Sequence, residues 1–283
     1  MRLWMITGAG RGLGRAFTQA ALEHGDRVVA TIRQDGVLDD LVKQYGDRLI
    51  PRRLDVSSHA QVHRVVADVV ATTGTPDVVV NNAGYGLVGA VEELTEDELR
   101  AQFDVNLYGA VWVTQAVLPH LRARGSGRIV QVSTVGAVGH LPLFGAYNAS
   151  KWALEGLSSA LAAEVAPFGI GVHLLQLGGF ATDWFGSSMS FTSANPAYDG
   201  TREGILGMPD YPTAAILSEA EPSAEESPAV AAQALLELLN EPEPPLRKII
   251  GTGAHDMVKT ALEWRRDDYA RDPAFTWPGR PSI

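Results

Sequence analysis

"LWMITGAGRGLG", Leu3 to Gly14, is the stretch whose reading decides the fold of this chain. Apolar residues run from Leu3 into Thr7, and glycine then occupies every second position from Gly8 to Gly14. The apolar run predicts a strand over Leu3–Thr7, and the residues beyond it predict a helix over 12–24. A strand that turns tightly into a helix is the opening unit of an alternating α/β fold. Glycine permits the turn and lets backbone N–H groups and a helix N-terminus approach a pyrophosphate. Thr7, Gly8, Arg11, Gly12, Leu13 and Gly14 are therefore candidate nucleotide contacts. Their spacing, G-x-x-x-G-x-G, differs from the G-x-G-x-x-G fingerprint, so the position between strand and helix carries the reading.

The same alternation continues outward. Further strands are predicted at Arg27–Ile32, Leu49–Leu54, Asp77–Asn81, Arg128–Ser133, Gly171–Leu177 and Leu246–Ile250. Helical patterns fall at 37–45, 58–73, 96–103, 106–124, 147–166, 227–240 and 255–268. Runs such as "PDVVVNN" and "GRIVQVS" are apolar on both faces, as strands of a parallel sheet covered on both sides must be. The expected architecture is a doubly wound, Rossmann-like α/β fold in a single domain over 1–283, with ligands bound beyond the carboxyl ends of the strands. Two segments interrupt the pattern. Residues 183–226 mix aromatics with Ser, Pro and Glu and are expected to form a substrate lid; residues 269–283 read as an extended tail. The aromatic members Trp184, Phe185, Met189 and Phe191 point to an apolar substrate under that lid.

Composition sets bounds. With 283 residues, 46% of them apolar, the chain can bury one full core. Absence of cysteine excludes disulfide and thiolate chemistry and fits a reducing, cytoplasmic setting. Lys plus Arg number 23 against 33 Asp plus Glu, and a net charge of −10 argues against nucleic acid as a partner. No apolar run approaches the about 18 residues of a membrane span, so no membrane partner is expected.

The chemistry gathers after the later strands. In "GAYNASKWALEG", Gly145–Gly156, Tyr147 and Lys151 stand four residues apart and share a helix face. A lysine charge about 4–5 Å from the phenol is worth roughly 3–4 kcal/mol, which would draw it well below its ordinary value near 10. Ser133 closes its strand fourteen residues earlier, and Asn106 opens the long helix before it. At the end of the second strand, where a carboxylate would favour NAD and arginine a 2′-phosphate, the chain places Ile32 and Arg33, with Arg11 nearby. Asp35 is the one acidic residue close by. His59 and His63 have helical metal-pair spacing without a further ligand, so no metal is expected. There is no G-x-S-x-G elbow to turn Ser133 toward hydrolysis.

Taken in order, Thr7-Gly8-x-x-x-Gly12-x-Gly14, Asp55, Asn81-Asn82-Ala83-Gly84, Asn106, Ser133 and Tyr147-x-x-x-Lys151 resemble the short-chain dehydrogenase/reductase family, over about residues 1–182. The resemblance implies Tyr147 as proton donor and acceptor, Lys151 lowering its pKa and holding the nicotinamide ribose, Ser133 on the substrate oxygen, and Asn106 supporting a water. It places Asp55, Val56, Asn82, Ala83 and Gly84 along the adenosine side, with Phe180 and Thr182 at the carboxamide. The family's proline in that last loop is replaced by Leu177. The implied activity is NADPH-dependent reduction of a ketone or aldehyde, by a homodimer or homotetramer. An NAD-dependent alcohol dehydrogenase and a non-catalytic NADP sensor are the alternatives.

Overall fold

A computed structural model describes residues 1–181, 188–213 and 226–277. Seven parallel strands form the central sheet in the order β3-β2-β1-β4-β6-β7-β9. They are β1 (Leu3–Ile6), β2 (Arg27–Ile32), β3 (Leu49–Arg53), β4 (Val78–Asn81), β6 (Gly127–Thr134), β7 (Ile170–Leu177) and β9 (Arg247–Ile250). All seven coincide, within a residue or two at the ends, with the predicted strand runs. The reason is visible in β1: Trp4 and Ile6 face one layer, Leu3 and Met5 the other, and all four are buried.

On the first face lie α1 (Gly12–Glu23), α2 (Asp39–Tyr45) and α8 (Pro228–Asn240). They bury Phe17, Leu22, Leu41 and Leu235 against Ile6, Val80, Val132 and Leu175. On the second lie α3 (His59–Thr72), α5 (Gly109–Arg124) and α6 (Gly145–Val165), packing Val66, Val117 and Leu161 on Met5, Val79 and Ile129. Each fully buried aliphatic side chain contributes about 1.5–3 kcal/mol, and these two layers hold the strand ends in register. Local signals start the helices where the sequence predicts: Ser58 accepts from the Gln61 amide at α3. Thr95 and Glu98 form a reciprocal capping box at α4 (Glu96–Phe103).

Part of the segment expected to be a lid has fixed structure of its own. β8 (Met189–Phe191) pairs in parallel with β5 (Gly86–Val88), and α7 (Asp199–Leu206) follows. Too polar to form a core alone, this segment shares one with Val88, Ala90 and Leu143, covered by Phe191, Tyr198 and Tyr211. Its anchor is Arg202, fully buried, whose guanidinium donates to Glu93, Asp199 and the carbonyls of Asn195 and Pro209. Burial opposes charge on Glu93, yet hydrogen bonds from Tyr211, Asn195, Ala90 and Arg202 hold its carboxyl below its usual value. Residues 188–213 are thus a braced wall; Trp184, Phe185, residues 214–225 and the end of the tail from 278 lie outside the described residues.

Arg202→Met should leave Glu93 buried without its cation, at a cost of about 3–5 kcal/mol to this wall. Hydrogen exchange should then accelerate by about a hundredfold or more in β8 and α7 while β1, β4 and β6 keep their protection. Arg100→Ala, which removes an exposed pair with Glu96, should change stability by less than about 0.5 kcal/mol.

Candidate active site

A cavity of about 690 Å³ opens at the carboxyl ends of β1, β4, β6 and β7. It runs from Gly8 and Arg11 past Asn82, Ala83 and Gly84 to Thr134, Tyr147, Lys151 and Phe180. Its glycine end is stapled from below. The Thr7 hydroxyl donates to the Val80 carbonyl and accepts from the Asn82 and Ala83 amides, both at 3.0 Å. Asn82 returns its side-chain amide to the carbonyls of Thr7 and Gly8 at 2.9 and 3.1 Å. Thr7 is therefore a buried support outside the cavity lining, not a lining group, and Asn82 both lines the cavity and braces the turn. Gly8 has φ 65°, and a Cβ there would lie 2.9 Å from the Ala83 Cα; a Cβ on Gly14 would meet the Gly8 carbonyl at 2.2 Å. Only glycine fits either position. Arg11 at the N-cap of α1 supplies no side-chain cap, which leaves the helix's first N–H groups available to an anion in the cavity.

The other end holds the titratable groups. Lys151 is buried, 4% exposed, and its ammonium donates to the Val132 carbonyl at 2.8 Å. Burial pulls its pKa down to about 8. Asn106 sits in a wide π-helical turn, Asp104–Tyr108, of the kind frequent at functional sites. Its carbonyl accepts from the Tyr85 amide at 3.0 Å, and its amide donates to the Tyr85 carbonyl and to the Ser150 hydroxyl. A Cβ on Gly84 would lie 3.1 Å from Asn106 Oδ1 and 3.5 Å from Lys151 Nζ, so these three residues are contiguous.

Tyr147 departs from the sequence expectation in two ways. Burial pushes its phenol above the ordinary value rather than below it, and the opposing influence is a hydrogen bond with Thr134. The lysine charge is directed instead at the Val132 carbonyl. Ser133, expected beside Tyr147, borders the cavity, but its hydroxyl donates to Glu155 Oε1 at 2.8 Å. The same carboxylate accepts from Gln176 at 2.9 Å and Arg247 at 2.8 Å. Successive strand side chains point to opposite faces, so Ser133 follows Ile129 toward α6, and the next residue, Thr134, reaches the phenol. The paired hydroxyls in "VST" carried that signal, and strand alternation distinguishes them.

Leu13 and Phe180 line the cavity. Arg33, Asp55 and Val56 lie just beyond the ends of β2 and β3, outside its lining. Arg33 is exposed and makes no ion pair among the described residues, whereas Asp55 accepts from the amide and hydroxyl of Ser57. Thr182 falls outside the described residues. The His59 and His63 rings lie 4.4 Å apart and tilted, and His59 meets Trp112 edge-on at 4.8 Å, outside the cavity lining. Among the described residues no three His, Asp or Glu side chains gather as a metal site, and no helix is long and apolar enough to cross a membrane. Sequence reasoning missed the contribution of α9 (Ala254–Tyr269), whose Met257, Thr260 and Trp264 line the cavity. Its amphipathic pattern reads as a surface helix more than a hundred residues from Tyr147, and nothing local marks it as part of a site.

The profile described as short chain dehydrogenase matches residues 2–192. The chain belongs to the short-chain dehydrogenase/reductase family of oxidoreductases. Oxidoreductase BOA17 of Botryotinia fuckeliana is 41% identical over 263 residues, 93% of each chain. Retinol dehydrogenase 8 of Bos taurus is 31% identical, over 98% of this chain and 91% of the other. A crystal structure of a short-chain dehydrogenase from Streptomyces avermitilis superposes with a TM-score of 0.85 at 40% identity, covering 96% of this chain and 97% of that one. Structures of similar fold hold NADP in some cases and NAD in others.

The depressed Lys151 pKa has a stability consequence. Between about 8 and the unfolded value near 10.4 the unfolded chain binds a proton that the folded chain has lost, so stability rises with pH across that window. Below about pH 8 both states are protonated and the burial cost is constant, roughly 3 kcal/mol. Lys151→Met removes it. The variant should melt several degrees higher than wild type at pH 7, allowing about 2–4 °C per kcal/mol. It should also lose the alkaline rise in stability, as calorimetry over a pH series will show.

Proposed function

We propose that this protein is an NADPH-dependent reductase of a ketone or aldehyde carried on a bulky apolar molecule, with Tyr147 as proton donor. The observation that carries the reading is the phenol of Tyr147, held neutral by burial and hydrogen-bonded to Thr134 beside the buried ammonium of Lys151. A neutral phenol is a donor, and donation to a developing alkoxide is the reductive direction. Thr134 takes the part expected of Ser133: its hydroxyl stands at the phenol and can polarise the carbonyl oxygen where negative charge grows. Lys151 supports both steps electrostatically, and Asn106 fixes the turn that borders it.

The residues suit a dinucleotide. The glycine-rich turn from Gly8 to Gly14 and the uncapped start of α1 suit a pyrophosphate, and Gly84, Lys151 and Phe180 would border the nicotinamide end. When bound, NADPH supplies the hydride. Arg33, exposed and outside any ion pair among the described residues, and Arg11 on the glycine turn favour a 2′-phosphate over a bare ribose. The bovine relative's name gives retinol, an apolar alcohol, as its substrate, in keeping with an apolar partner here.

Steady-state and binding measurements on four variants test the proposal. Tyr147→Phe should lower kcat by at least about a thousandfold, within the range of a lost general acid, with NADPH binding nearly intact. Thr134→Val should lower kcat by about 10²–10³, as for a lost oxyanion donor, and Ser133→Ala by much less. Arg33→Ala should weaken NADPH by roughly 1–3 kcal/mol and leave NADH unchanged. Near-normal turnover by Tyr147→Phe, or equal losses for both cofactors, would overturn the corresponding part.

A further inference from the structure

The outer half of the cavity is walled by α9, and the wall is rigid. Ala254, Val258 and Ala261 are buried against Val135 and Val138 of the loop that follows Thr134. Arg265 completes the attachment: its guanidinium donates to the Val138 carbonyl at 2.7 Å and lies 4.1 Å over the ring of Trp152, the residue after Lys151. Trp152 in turn donates its indole N–H to the Gly136 carbonyl at 3.2 Å. The helix is thus fixed to both chain segments that carry the catalytic groups.

The face that α9 turns to the cavity is apolar yet wet. Met257 and Trp264, one heptad apart, are each 57% exposed, and Leu141 across the opening is 45% exposed. A single exposed apolar side chain is ordinary. Three that converge on one catalytic cavity are a binding surface waiting for apolar area. The polar members of this rim are Asp256, Thr260 and His140, and the His140 ring lies tilted 5.6 Å from that of Trp264.

Building on the reductase reading, we infer that Met257, Trp264 and Leu141 form the subsite for the substrate's apolar body. The preferred substrate is then a carbonyl compound bearing an extended hydrocarbon portion. Recognition of that portion comes from the C-terminal helix. Because the wall is attached to the loop after Thr134 and to the helix bearing Lys151, a hydrocarbon seated on it presents its carbonyl at a fixed distance from Tyr147. Each methylene moved from water to this surface should raise kcat/KM about two- to fourfold until the wall is covered.

The test is NADPH consumption with a homologous series of straight-chain methyl ketones, from butanone to undecanone. For the wild-type enzyme kcat/KM should climb with chain length. Trp264→Ala and Met257→Ser should each flatten the climb, whereas Leu262→Ala, an exposed α9 residue outside the cavity lining, should keep it. Melting temperature and NADPH affinity measured on every variant identify any that misfolds; Met257→Ser serves if Trp264→Ala does. Turnover without chain-length dependence, or a climb that survives both wall substitutions, overturns the subsite and leaves the reductase reading standing. Absence of turnover with every ketone, and with the straight-chain aldehydes of the same lengths, defeats the reductase reading itself.

Discussion

Everything in this site depends on placing a buried ammonium beside a half-buried phenol at the end of a parallel sheet. Lys151 gives up solvent and donates to the carbonyl of Val132 on the neighbouring strand. That contact fixes how α6 lies against β6 and, one turn earlier, where Tyr147 stands. Burial then acts oppositely on the two groups, lowering the lysine and raising the tyrosine. Both are pushed toward neutrality, so an anionic or strongly polar partner entering the cavity meets groups whose protonation it can still influence.

Such a cost is sustained by the structure around it. Two apolar layers hold the strand ends in register, and the staple of Thr7 and Asn82 holds the glycine turn to β4. Glu155 ties α6 to β6, β7 and β9 through Ser133, Gln176 and Arg247. A buried carboxylate that gathers three donors is costly to disturb, and here it sits one helical turn beyond Lys151. Arg202 performs the equivalent service for the wall made by β5, β8 and α7. The charged residues of the interior are therefore fasteners around a reactive centre, each paired and each bridging elements distant in sequence.

The sequence disclosed the sheet because strands buried on both faces cannot hide their composition. The glycine turn and the Tyr147/Lys151 pair were legible for a similar reason: a backbone turn or a helix face demands particular residues at particular intervals. What escaped was set by tertiary contact. β5 and β8 have three residues each, too few for any period, and α7 is anchored by an arginine that looks like a surface residue until Glu93 covers it. Ser133 and Thr134 differ by one position, and one position exchanges the faces of a strand. Lys151 shares a face with Tyr147 as expected, but its charge is spent on a carbonyl, which spacing cannot reveal. The role of α9 depends wholly on its packing against Val135 and Val138.

On the reductase reading proposed above, the protein alone keeps Tyr147 protonated, ready to give its proton away. Tyrosinate absorbance titration of the cofactor-free protein, read as the difference between wild type and Tyr147→Phe, measures this directly. No phenolate assignable to Tyr147 should form below the ordinary tyrosine value of about 10 while the fold persists. A difference signal titrating well below that value, near neutrality, would contradict it and would make Tyr147 a base from the outset.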